Sequence, residues 1–267
     1  MTQTTKPKDE VAAELLYRND YVWSQTDEPH MRRKKELLSK YGDQIKKLHR
    51  IDPATKYKCL ALVLLQVAAC YVACLPQVPW WLFILMMWGI GGSLNHSITV
   101  GIHEVTHSKF HHLSARVNSS SKDVAFEKVI HNLYLAIFTN MPMGIPYAVS
   151  FMRYHHEHHN YQGVVGIDTD IGTPLEGRLM QTKLGKFIHI FFMSIFYSIR
   201  PLIIAPKMPT LLDLLNLVVE ATFMIGMYLW LGIYAPIYFV GSTFLGLGLH
   251  PLSGHFIGEV CITSFHY

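Results

Sequence analysis

The sequence predicts an all-α membrane protein, with four or more transmembrane helices and a cytoplasmic cap of helices that carries histidines. Three observations predict it. Of the 267 residues 50% are hydrophobic and only 16% are charged, and the mean hydropathy is positive at +0.21. The stretches Cys59–Ile102 and Ala221–Gly258 contain no Asp, Glu, Lys or Arg, and each is long enough for more than one crossing at about 20 residues per helix. The net charge of +4 is concentrated ahead of the first stretch, in Met31-Arg-Arg-Lys-Lys35 and Lys46-Lys47, and no Lys or Arg follows Lys207. Basic residues beside an apolar run mark a cytoplasmic flank. Nucleic acid is not expected as a partner, because a binding surface would interleave its basic residues with exposed aromatics.

Residues 1–55 read as a polar cytoplasmic segment and residues 56–267 as the membrane domain. Within the first, Leu37, Leu38, Tyr41, Ile45 and Leu48 fall at helical spacing, which suits a basic amphipathic helix at a membrane surface or a solvated helix. The polar, charged start reads as lacking a cleavable signal peptide, and Met1-Thr2 is not the Met-Gly start that myristoylation requires. Targeting is therefore assigned to the internal apolar segments. Asp52-Pro53 breaks the chain before the membrane. Cys59–Leu75 reads as a first, short span, ended by Pro76-Gln-Val-Pro79. Trp80–Ile102 reads as the second, with Trp80 and Trp81 as interfacial anchors.

Two crossings return the chain to the cytoplasm at His103. Ser108–Lys128 reads as a loop. Val129–Phe151 is uncharged but holds His131, Asn132, Asn140, Pro142 and Pro146, so it reads as a broken, partly embedded segment whose polar groups need protein or water partners. A Gly-rich stretch, Gly163–Gly177, carries Asp168 and Asp170. Phe187–Ile204, interrupted by Arg200-Pro201, reads as lying in the interface, while Leu214–Leu231 and Ala235–His255 read as spans. Cys59, Cys70 and Cys74 sit in apolar sequence, Cys261 near the end, and no C-x-x-C pair or disulfide spacing occurs.

The chemistry-bearing residues are histidines. His103 and His107 are i and i+4; His155, His158 and His159 are i, i+3 and i+4. On helices each set shares a face. With 16 His in the chain, an H-x-x-H-H triple is expected by accident only roughly 0.06 times, so a metal site outweighs chance. Read alone, His103-Glu104-Val-Thr-His107 is H-E-x-x-H, two zinc ligands with Glu104 as general base. Three further clustered imidazoles serve no purpose in such a protease and match an oxygen-activating diiron site better.

These boxes and their surroundings resemble the membrane fatty-acid desaturase superfamily, and within it the sphingolipid 4-desaturases (dihydroceramide desaturases). Trp23-x-x-Thr-Asp-Glu-Pro-His30 with the following Arg-Arg-Lys, Asn95-His-Ser97, Asn140-Met-Pro-Met-Gly-Ile-Pro146, Arg153-Tyr-His155 and Gly246-Leu-Gly-Leu-His-Pro-Leu-Ser-Gly-His-Phe-Ile257 carry the resemblance, from about Tyr21 to Ile257. It implies an endoplasmic reticulum enzyme with its histidine boxes facing the cytoplasm. It further implies an iron (diiron) centre that uses O2 to desaturate the C4–C5 bond of dihydroceramide to ceramide. Electrons would come from NADH through cytochrome b5 and its reductase. The ligands it implies are His103, His107, His155, His158 and His159, with His255 as a sixth. His96 reads as a residue that supports the ligands or packs the helix, His156 as lying off the ligand face, and His111, His112, His131 and His189 as structural or exposed. His250 reads as an orienting residue. Glu104, Glu157, Asp168 and Asp170 read as carboxylates that anchor imidazole N–H groups, the last two alternatively as solvated loop acids.

The family pattern continues to a third H-x-x-H-H box, whereas the tail Glu259–Tyr267 holds only His266. The expectation that follows is a truncated or alternatively spliced chain short of up to three ligands. Two rivals to the desaturase reading are an inactive membrane protein of the same fold and a sphingolipid C4-hydroxylase.

Overall fold

A computed structural model describes residues 29–48, 54–115, 132–161 and 166–254. Every regular element among them is helical, as the sequence predicts.

The N-terminal segment is a unit of its own. Its helix α1, Pro29–Leu48, is interrupted at Tyr41 (φ −130°, ψ 16°) and ends on Lys46 and Lys47, cations that suit the negative end of a helix dipole. Leu37, Leu38 and Tyr41 are exposed.

The second unit begins with α2, Thr55–Ala73, followed by α3, Trp80–Met86. A π-helical turn, Met87–Gly91, joins α3 to α4, Gly92–Ala115. The helix therefore continues past Ser108, where the sequence suggests a loop, and carries both histidines of the first box well inside regular structure. Helix α5 lies in Asn132–Met143, whose last turn, Met141–Met143, is 3-10. It bends by 116° into α6, Ala148–Asn160, as expected of a broken segment. Next come α7 (Pro174–Leu179), α8 (Lys183–Phe191), α9 (Met193–Ile204), α10 (Leu211–Leu231) and α11 (Tyr234–Gly246), then a 3-10 turn at Pro251–Ser253. The α8–α9 bend of 77° falls at Phe192, so Arg200-Pro201 is not the break; α9 runs through it. The expected span Ala235–His255 is also shorter in fact. Its 13-residue helix is about 20 Å long at 1.5 Å per residue.

Among the described residues, helices α2 and α10 are each long and apolar enough to cross a membrane, and the number rises to four if each bent pair is one span. Their outer faces expose Leu64, Leu65, Leu217, Val218, Leu229 and Trp230, the pattern of helices solvated by lipid. The inner face of α2 is a stripe at helical spacing: Cys59, Val63, Gln66, Cys70 and Ala73. Its lower half joins Ile98, Ile102 and Val105 of α4, Ala136 of α5 and Phe151 of α6 in one core. Its upper half joins Phe83, Met227, Tyr238 and Phe239 in another. Where α4 meets α11 the backbones nearly touch: a Cβ on Gly246 would lie 2.7 Å from the Gly92 Cα, so only small residues fit the crossing.

Several polar groups inside this apolar body bond to one another across helices. Gln66, Asn95 and Thr243 link α2, α4 and α11 at 2.9 and 2.7 Å, and the Thr243 hydroxyl donates to the Met143 carbonyl. Asn140 holds the turn before α6. Its Oδ1 accepts from the Tyr147 and Ala148 N–H groups at 2.8 and 2.6 Å, and its Nδ2 donates to the Ile145 carbonyl and to Glu220 of α10. Asn216, also from α10, accepts from the Val149 N–H at 3.2 Å. The first N–H groups of a helix have no partner within it; here two asparagine side chains supply them.

Candidate metal centre

Helices α4 and α6 meet at their histidines. In α4 the 3.6-residue period stacks His103 under His107, with their Nε2 atoms 2.9 Å apart. In α6 the same period stacks His155 under His159, Nε2 to Nε2 3.0 Å. His155 and His107 close the gap between the helices at 3.2 Å. The four ligand nitrogens all lie within 4.8 Å of one another. For a metal about 2.0–2.1 Å from each nitrogen, neighbouring donors in a coordination shell sit about 3 Å apart, the spacing found here. The donor set is four imidazoles, which suits Fe, Zn or Cu better than an oxygen-preferring cation.

The surroundings fix these rings. Phe151, one turn before His155, stacks on it with centroids 4.7 Å apart and 17° between planes. His155 is buried and His159 is exposed at the rim. The α6 backbone is lashed to the α9–α10 connection by charged groups. Arg153 donates to Asp213 at 2.9 Å and to the Met208 carbonyl, Lys207 pairs with Glu157 at 2.8 Å, and the Tyr154 hydroxyl donates to the Ala205 carbonyl. Glu157 is thereby paired with Lys207.

The remaining histidine of the second box lies beside the four-nitrogen group without being part of it. His158 meets Asp168 at 2.9 Å and Asp170 at 3.4 Å, forming a separate group of three potential ligands. Asp168 is buried, so it is no solvated loop acid. Burial pushes the Asp170 carboxyl up from its usual range, opposed by His158.

His255 lies outside the described residues, as do His131 and His266, and the side chains of His111 and His112. His96 is buried in α4. His156 is exposed and bonded to Asn160. His250 accepts from the Leu252 N–H and so caps the last 3-10 turn. Glu104 is exposed and stands outside both clusters.

Sequence reading missed Glu176 and Asn216, and noted Arg200 only as an interruption. Arg200 is buried and grips Glu176. Burial opposes ionisation of Glu176, but hydrogen bonds from His189, Arg200 and the Thr173 N–H prevail and hold its carboxyl well below the usual range. The signal was available: a lone charge within apolar sequence is kept only with a partner.

Fold and site together define a class: a helical membrane protein whose interhelical histidines can hold a metal. The comparisons with known proteins narrow it. The family model described as sphingolipid Delta4-desaturase (DES) matches residues 17–54. Sphingolipid delta(4)-desaturase DES1 of Pongo abelii is 41% identical over 91% of this chain and 70% of its own length. Figures for DES1 of Drosophila melanogaster are the same. Sphingolipid delta(4)-desaturase/C4-monooxygenase DES2 of Homo sapiens is 38% identical over 91% of this chain and 70% of its length. No solved structure matches. The chain belongs to the sphingolipid delta(4)-desaturase family.

Proposed function

We propose that this chain desaturates the C4–C5 bond of dihydroceramide to give ceramide, using O2 and electrons delivered from NADH by way of cytochrome b5 and its reductase. The observation that carries the reading is the convergence of His103, His107, His155 and His159 on one point, in a chain whose relatives are named sphingolipid delta(4)-desaturases. These four residues would hold iron; His158 and His255 are the further ligands that the family resemblance proposes. Iron supplies the oxidising power that an unactivated methylene, which has no acidic proton, demands.

The protein's own contribution is placement. Helices α4 and α6 present ring nitrogens at a spacing fixed by helical geometry, so little reorganisation precedes metal binding. Phe151 and the apolar core beneath it, from Ile102 and Val105 to Met152, keep water from the inner side. A dry, apolar wall also suits an alkyl chain as substrate. Placement in the endoplasmic reticulum with the histidines facing the cytoplasm fits this reading, as does a division into a 1–55 segment and a 56–267 membrane domain.

A second outcome, transfer of oxygen to C4, is favoured by one observation: relatives at 38 to 39% identity are named as both desaturase and C4-monooxygenase. The test is lipid analysis of cells lacking dihydroceramide desaturase and expressing this chain, with His155→Ala as control. Ceramide formed by the parent and absent with the variant is expected; 4-hydroxylated product would mark the second outcome. Dihydroceramide persisting in both, with the protein inserted, would overturn the proposal.

A further inference from the structure

One imidazole of the second box stands apart from the four-nitrogen cluster, and what it touches is unusually well anchored. His158 leaves α6 beside His155 and His159, with ring centroids 5.9 and 5.3 Å away. Its Nδ1 meets Asp168 Oδ1 at 2.9 Å. An ionised carboxylate only accepts hydrogen bonds, so Nδ1 carries the proton and Nε2 keeps the lone pair. The same Asp168 oxygen accepts from the Asp170 N–H at 2.9 Å, which locks the carboxylate to its own loop.

The loop in turn is held by a residue 42 positions further along than His158. Arg200 of α9 donates through Nη1 to the carbonyls of Thr169 and Asp170, both at 3.2 Å. Its Nε and Nη2 grip the Glu176 carboxylate. Glu176 is also half of the capping box that starts α7: its Oε2 accepts from the Thr173 N–H at 2.7 Å, and its own N–H donates to Thr173 Oγ1 at 3.2 Å. His189 of α8 lies 3.3 Å from its other oxygen. One guanidinium therefore fixes both ends of the loop, the carbonyls beside Asp168 and the first turn of α7. The planar fork of an arginine can make these bonds at once; a lysine ammonium cannot.

From these contacts we infer that Asp168 is a positioning residue, which presents His158 Nε2 as a fifth nitrogen donor for the metal, and that the buried Arg200–Glu176 pair is the clamp that holds Asp168 in place. The inference rests on the metal reading above. It extends the machinery of the site to α7 and α9, which carry none of the proposed ligands. Carboxylates bonded to a ligating histidine typically change metal affinity by about 10–100-fold.

The experiment is a Co2+ titration of the full chain in detergent, followed by visible absorption, with the melting temperature of the metal-free protein measured beside it. Asp168→Asn keeps the shape and removes the charge. It is expected to weaken Co2+ binding about tenfold while leaving the metal-free melting temperature unchanged. Arg200→Gln is expected to lower both affinity and melting temperature. In the Asp168→Asn background, Arg200→Gln is expected to cost no further affinity, because the clamp acts through Asp168. Parent-like Co2+ affinity in Asp168→Asn would overturn the inference and leave the metal reading intact. Additive losses in the double variant would assign Arg200 a merely structural role and remove the clamp. A parent that binds no more Co2+ than His155→Ala would overturn the metal reading itself.

Discussion

His155 and His156 are neighbours in sequence and opposites in the fold. A helix turns about 100° per residue, so His155 faces α4 and enters the cluster while His156 is exposed beside Asn160. The pair makes an internal control. His155→Ala is expected to abolish conversion of dihydroceramide, and His156→Ala to leave it within about twofold, since surface substitutions change little; an assay of the two variants in cells checks this. The face shared by His155 and His159 was legible because i, i+4 spacing dictates it. The different allegiance of His158 was not, because it depends on a loop whose path spacing does not encode. Asp168 and Asp170 could be named as carboxylates near the site, yet only the fold assigns them to His158.

At the scale of elements, α6 depends on residues of the turn before it. Asn140→Ala removes the acceptor of two N–H groups at its start, and a loss of about 1–2 kcal/mol is expected from lost capping. Gly144→Ala should cost at least as much: its φ is +75°, and a Cβ there would lie 2.7 Å from Val240 Cγ2. Melting temperatures in detergent check both. The Asn140–Pro146 motif stood out in the sequence, but its role as the cap of the histidine helix is visible only once α5 folds back by 116°.

Helix α7 adds a prediction about pH. Glu176 is held below its usual range in the folded state, so it contributes stability above about pH 4.3, its unfolded value, and that contribution is lost as pH falls through its folded value. Parent protein should therefore lose stability on acidification below about pH 5, and Glu176→Gln should flatten that limb of the melting profile. Arg200→Gln leaves the carboxylate buried without its cation, at a cost on the order of 3 kcal/mol.

For the whole molecule, the all-helical class, the two charge-poor regions and the crossing of two histidine helices were all readable from hydropathy and period. The span lengths were less so. The apolar run Ala235–His255 gives only a 13-residue helix, because apolar composition does not separate a crossing helix from a turn packed in an apolar core. Arg200-Pro201 looked like a break and is instead helical, since the arginine is satisfied by Glu176 and the proline needs no N–H partner. The α4 helix outruns its apolar portion because its polar end is where the site lies.

The central claim is that α4 and α6 together bind a metal for the desaturation chemistry of this family. Elemental analysis of the purified chain, parent against His107→Ala and His155→Ala, tests it most directly, since one substitution falls on each helix. Iron retained by the parent and lost from both variants is the expected result. Iron that is absent from the parent, or unchanged by either substitution, would contradict it.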